Sequence, residues 1–276
     1  MSKFGVVIKQ SFYIPSPTLT ENDLVDQAGK VHIVPGGYAG CGKGLVKILY
    51  EKNATIYCPR SKGRLEFLAV DLSDLHSFKK AVRAFKAKER RLGVLTNTAG
   101  VMTPPVGSKD SHGHELQMGT KCLGPFLFTE LILPTLLSTV SVASPGSVRV
   151  TWAGSLAGMT SGPKGVHNSP PTDYGQSKYG NMLLAEEFSK RYGKDGIVSA
   201  SFNPGNLQTE LQRHMSSIGK MMMSSMLHPP IYGAYTELYA GWSYEITLEH
   251  NGGFMIPWGR IDTRGFGPYA VKWHLN

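Results

Sequence analysis

Seven short apolar or β-branched runs alternate with longer segments of helical period, and this alternation constrains the chain more than any other feature. The runs are Val31 to Val34, Ala54 to Cys58, Leu65 to Val70, Leu92 to Thr96, Val148 to Trp152, Ile197 to Phe202 and Phe254 to Ile256. Helix-period segments lie at about 41–52, 74–90, 113–137, 173–192 and 229–245. Strand–helix–strand order of this kind predicts an α/β fold: a doubly wound parallel sheet with helices on both faces. At 276 residues and 41% hydrophobic content the chain can bury one sizeable core, so a single domain over 1–276 is expected. Segment 206–230 breaks the pattern, with Met215, Met221, Met222, Met223 and Met226 ahead of Pro229 and Pro230. Flexible thioethers suit either a small substrate lid or plain core filling.

Lys and Arg exceed Asp and Glu by 29 to 20, a net charge of +9 that favours an anionic partner without choosing among nucleotide, nucleic acid and lipid surface. The basic run Lys79 to Arg91 is interleaved by Leu75, Phe78, Val82 and Phe85 at steps of three and four, which reads as one buried stripe with a solvated basic back. That argues against nucleic acid. Cys41, Cys58 and Cys122 have no CxxC spacing, so neither a disulfide framework nor a zinc site is expected, and a reducing compartment is. Met1 to Ile8 offers no signal-peptide cleavage site, and Phe126 to Leu137, carrying Glu130 and Pro134, falls short of the roughly 20 residues of a membrane span. A soluble cytoplasmic protein with no membrane span is the expectation.

After the first strand comes Pro35-Gly36-Gly37-Tyr38-Ala39-Gly40-Cys41-Gly42-Lys43-Gly44, leading into a helix. Glycines at such a junction let backbone amides and the helix dipole approach a phosphate. Two motifs share the stretch. Gly37, Gly42 and Lys43 begin a P-loop, but Gly44 stands where a Ser or Thr hydroxyl must reach magnesium, so a P-loop NTPase is the weaker reading. Gly36, Gly40 and Gly42 give G-x-x-x-G-x-G, a variant of the dinucleotide fingerprint.

Tyr174 and Lys178 are four residues apart and share one helix face. A nearby cation lowers a phenol from its usual pKa of about 10, which predicts a Tyr174 able to exchange protons near neutrality. Ser155 follows the fifth strand, Asn97-Thr98-Ala99-Gly100 the fourth, Asn203-Pro204-Gly205 the sixth, and Asp71-Leu72 the third. All fall on one rim, where open α/β sheets bind ligands.

With these five ordered motifs the chain, from about Ala28 onward, resembles the short-chain dehydrogenase/reductase family and its Rossmann-type fold. It is most similar to the retinol-dehydrogenase-like branch and to fungal reductases of secondary metabolism. The resemblance implies that Gly36, Gly40, Cys41 and Gly42 cradle the cofactor phosphates, that Asp71 and Leu72 face the adenine, and that Asn97 and Gly100 flank the ribose. It places Leu207 and Thr209 at the nicotinamide amide. It makes Ser155 the anchor of the substrate oxygen, Tyr174 the proton donor, and Lys178 the holder of the nicotinamide ribose and tuner of the phenol. The second strand ends on Cys58-Pro59-Arg60-Ser61-Lys62 with no acid to accept from an adenosine ribose, so NADP, met by Arg60, is favoured over NAD. The expected activity is carbonyl–alcohol interconversion on a small, largely apolar metabolite, and relatives of this branch pair through helices matching 113–137 and 173–192, compatible with a homodimer.

Three departures accompany the matches. The link Pro59 to Arg64 has six residues where a crossover needs about a dozen, so the second-to-third strand connection is shortened and has no room for a helix. It leaves one sheet face bare or reflects a truncated gene. Pro35 replaces a Thr beside the phosphate turn, and Lys121 replaces an Asn of the proton relay, where an ammonium offers no acceptor. Lys121 is expected to swing to solvent, to meet a cofactor phosphate, or to oppose Lys178. Together these keep open a non-catalytic relative that binds a nucleotide or a partner.

Overall fold

Eight strands form one sheet: β1 (Val31–Ile33), β2 (Thr55–Cys58), β3 (Leu65–Phe67), β4 (Val94–Asn97), β5 (Arg149–Ala153), β6 (Val198–Phe202), β7 (Phe254–Ile256) and β8 (Arg260–Ile261). Their order is β3-β2-β1-β4-β5-β6-β7-β8, parallel through β7 with β8 added antiparallel. The computed structural model describes residues 3–58, 65–161, 170–211 and 226–262. Each of the seven apolar runs contributes a strand, and in β1, β4, β5, β6 and β7 the side chains are buried on both faces and need no polar alternation. The hairpin strand β8 has no counterpart in the sequence reading, and β3 ends at Phe67 rather than Val70.

Helices flank the sheet: α1 (Lys3–Ser11), α2 (Gly40–Glu51), α3 (Leu75–Lys88), α4 (Leu116–Val140), α5 (Leu156–Ser161), α6 (Pro170–Tyr192) and α7 (Pro230–Trp242). On one face Phe78 and Phe85 of α3, Phe128 and Ile132 of α4 and Phe188 of α6 pack around Trp152. On the other, Leu45 and Leu49 of α2 meet Ala234 and Leu238 of α7 over Val34 and Ile56. The basic back of α3 is solvated as the periodicity implied, with Phe78, Ala81, Val82 and Phe85 buried.

The helical run α4 spans 25 residues, longer than the apolar stretch suggested, and is long and apolar enough by length and composition to cross a membrane. Half of its most apolar window is nevertheless buried inside the fold. A π-turn at Gly119–Leu123 interrupts it and sets the direction of Lys121.

The short link between β2 and β3 suffices because β3 is short. Ile56 pairs with Leu65 and Cys58 with Phe67, so the chain returns by only two rungs, roughly 7 Å, before pairing again. Residues 59–64 lie outside the described ones, but Phe67 on the edge strand is 58% exposed. At the opposite end of the strands, buried Arg149 donates through Nε to Gly146 O and through its terminal nitrogens to Ala240 O, Ser243 O and Ile246 O. This guanidinium holds the C-terminus of α7, whose dipole favours a cation, against β5.

The N-terminal helix α1 was not legible in the sequence. It bridges two loops of the rim: Gln10 Oε1 accepts from Asn203 Nδ2 at 2.8 Å, Ser11 Oγ accepts from Asn206 Nδ2 at 3.1 Å, and Gln10 Nε2 reaches Met159 Sδ at 3.7 Å.

Candidate active site

Ser155 stands two residues beyond β5, at the entrance to α5. Its Oγ accepts from Ala157 N at 3.1 Å, so it caps that helix, and its side chain acts on the Tyr174 phenol, favouring the ionised form. Capping and site geometry are therefore one arrangement. Tyr174 and Lys178 occupy successive turns of α6, and the Lys178 ammonium lies 5.8 Å from the phenol ring centre. Phenol and ammonium thus share one helix face as their spacing predicted.

The electrostatics differ from that expectation. Lys178 Nζ donates to Ala153 O at 2.8 Å, a carbonyl shared with Asn181 Nδ2 at 2.9 Å, and burial lowers the ammonium to about 8. Burial pushes the Tyr174 phenol up to about 12, with the neighbouring Cys41 adding to the rise and the Ser155 side chain opposing it. Lys178 therefore does not depress the phenol in this state. Enclosure disfavours every charged form here, and it outweighs a cation that faces a carbonyl.

Lys121 does not swing out to solvent. It is 1% exposed, its Nζ sits 4.1 Å over the Tyr174 ring centre, and it donates to Gln117 Oε1 at 3.2 Å. Burial, reinforced by the charge of Lys178, pulls its ammonium well below the usual lysine value. The neutral amine has a lone pair, so the objection that lysine lacks an acceptor holds only for its charged form.

The glycine turn is sterically closed to side chains. At Gly36, with φ +90°, a Cβ would stand 2.9 Å from Ala99 Cα, and at Gly42 a Cβ would stand 2.8 Å from Gly36 O. Ala39 at the start of α2 provides no side-chain cap, and no acid occupies the first turn, so the amides there suit an external anion. Gly44 instead packs against α7, where a Cβ would lie 2.9 Å from the Ala234 methyl; no Ser or Thr hydroxyl fits, which removes the P-loop reading.

A cavity of ≈ 430 Å³ lined by Pro35, Gly36, Asp71, Leu72 and Gly100 adjoins this turn, and a smaller one of ≈ 110 Å³ lies between Gly40, Cys41, Gly42, Thr98 and Thr209. A backbone cradle closed to Cβ atoms beside an elongated cleft fits a dinucleotide. Pro35 is accommodated at the strand end. Asn97 does not turn into the cleft: it is buried and its Nδ2 donates to Thr129 Oγ1 at 3.2 Å, in the seam between β4 and α4. Leu207 is buried and bridged to His228, pressing on the Gly233 position of α7. Arg60 and most of the Met-rich segment, 212–225, lie outside the described residues.

Two contributors were missed from the sequence. One is α1. The other is Glu237, fully buried on α7, whose signal was available: a carboxylate on the otherwise small and apolar stripe Gly233, Ala234, Leu238, Gly241.

A sequence model of the short chain dehydrogenase family matches residues 30–218. The chain belongs to the short-chain dehydrogenase/reductase family. A short-chain dehydrogenase/reductase of Phomopsis amygdali is 42% identical over 279 aligned positions, covering 89% of this chain and 84% of the relative. Another, iacJ of Pestalotiopsis fici, is 40% identical over 288 positions, covering 91% and 88%. The fold is also that of a carbonyl reductase from chicken fatty liver, described as NADPH bound, with a TM-score of 0.67 at 16% identity over 88% of this chain and 97% of that one. This short-chain dehydrogenase/reductase is an oxidoreductase enzyme of the same α/β architecture.

Proposed function

We propose that this enzyme uses NADP to interconvert a carbonyl and an alcohol on a small, largely apolar metabolite, in fungal-type secondary metabolism. The observation that carries the reading is the grouping of Tyr174, Lys178 and the Ser155 side chain that acts on the phenol, at the sheet rim beside the glycine cradle. NADP is supported by the acid-free end of β2 and by the NADPH of the chicken carbonyl reductase structure. The resemblance to fungal reductases supports the metabolic setting.

A nicotinamide dinucleotide, when bound, supplies or accepts the hydride. The protein's residues do the remainder. Gly36, Gly40 and Gly42 admit the phosphates to backbone amides, and Asp71, Leu72 and Gly100 wall the adenosine side. Ser155 holds the substrate oxygen next to the phenol. Tyr174, protonated through the neutral range, gives its proton to the developing alkoxide, and reverses that role in oxidation. Lys178 and Lys121 face the ring that loses the proton, and stabilise the phenolate to the extent that each is charged.

Fluorescence titration of the purified chain with NADPH and NADH tests the reading, with tighter binding of NADPH expected. A folded protein that binds neither dinucleotide would end it.

A further inference from the structure

Glu237 has no part in the chemistry above, yet it is the most enclosed carboxyl near the site, with 0% exposure. Its Oε1 accepts from Thr98 Oγ1 at 2.5 Å, while Oε2 makes no hydrogen bond among the described residues. The groups that face it come from three elements. Thr98 stands at the end of β4, the Cys41 thiol in the first turn of α2, and the Lys178 ammonium on α6; α7 itself carries no other charge. Thr98 and Cys41 both line the ≈ 110 Å³ cavity under Gly40 and Gly42. The carboxyl is therefore one side chain removed from the place where the cofactor phosphates sit.

We propose that Glu237 couples dinucleotide binding to proton uptake, its carboxyl being neutral when a diphosphate occupies the glycine turn and able to ionise when the turn is empty. The inference rests on the dinucleotide reading of the preceding section and extends it to a residue outside that reading. A carboxylate and a diphosphate repel strongly in an enclosed site, and protonation removes the repulsion. Burial already raises Glu237 from 4.5 to about 7, against the opposing pull of Thr98, Cys41 and Lys178. A nearby anion raises it further, so binding draws in a proton between the two values and none at pH below about 5, where the carboxyl is neutral in both states. Lys178 and Lys121 also gain protons beside an anion, and that contribution persists when Glu237 is replaced.

The test is calorimetric titration of the full chain with NADPH, and separately with NADH, in buffers of different protonation enthalpy. The wild type is compared with Glu237→Gln, which keeps the shape and an acceptor for Thr98. At pH 7 the wild type should take up as much as about half a proton more than the variant. The ratio of wild-type to variant Kd should rise from about 1 at pH 5.5 to about fivefold or more at pH 8.5. The NADH arm separates this from ionisation of the NADPH 2′-phosphate. Thr98→Val gives an independent check, because loss of the donor to Oε1 should move the pH dependence of affinity upward. Equal proton counts and superimposable pH dependences in wild type and Glu237→Gln overturn the coupling while leaving the dinucleotide reading intact. Failure of the folded wild type to bind either dinucleotide overturns both.

Discussion

At the reacting end of the cleft, Ser155, Tyr174, Lys178 and Lys121 are fastened by hydrogen bonds and ring contacts, and enclosure shifts the ionisation of three of them. At the end formed by the glycine turn Tyr38 and Phe67 are more than half exposed, and a cavity of ≈ 1540 Å³ opens between α2, β3 and Thr209. One end is made by side chains whose protonation the fold controls. The other is made by backbone, with glycines as its decisive residues. Perturbing the first should change chemistry at nearly constant affinity, and perturbing the second should change affinity at nearly constant chemistry.

The largest effect expected on this division is that of Tyr174→Phe. Steady-state assays with a reducible carbonyl should show turnover down by about 10²–10⁴-fold, the range of a lost general acid, with NADPH affinity within about twofold. Next is Gly36→Ala, which forces a Cβ against Ala99 at a φ that side chains rarely adopt. Strain of about 1–3 kcal/mol should appear as weaker NADPH binding, by about tenfold or more, and a lower Tm. Equal losses in kcat and affinity for either variant would erase the contrast between the ends.

Lys121→Met sharpens the comparison from the stability side. It removes a buried amine whose described hydrogen bond is to Gln117, which still accepts from Thr103 N, so the denaturation midpoint should rise by the equivalent of about 1–3 kcal/mol. Lys178 adds a pH signature. Its folded-state value of about 8 lies below the ordinary 10.5, so the unfolded chain binds more protons between them. Stability should therefore rise with pH across that window as far as Lys178 contributes, and Lys178→Met should flatten the rise in urea titrations at pH 8 to 10. The smallest effect belongs to the open end: Phe67→Ser should shift stability by no more than about 0.5 kcal/mol and leave turnover unchanged.

The sheet was legible because all seven apolar runs read directly as strands, and the helix at 41–52 was fixed by the turn that opens it. The meeting of Ser155, Tyr174 and Lys178 was legible too, since one helix face and one strand end suffice to place them. What their meeting does to their protonation was not, because desolvation depends on everything packed around a group rather than on its sequence neighbours. Asn97 misled for a related reason: a strand-end residue points to the cleft or to the helix behind it according to the pleat, and here it meets Thr129. Neither α1 nor Glu237 could be placed, because each acquires its role only through contacts more than 100 residues away in the chain.

Arg149 carries a consequence for how this sequence can drift. Four carbonyls from three separate segments depend on one side chain, and no shorter cation reaches them all. Substitution there would loosen the far end of the very helix that carries Glu237, so a residue on the floor of the molecule helps set the position of a carboxyl beside the glycine turn.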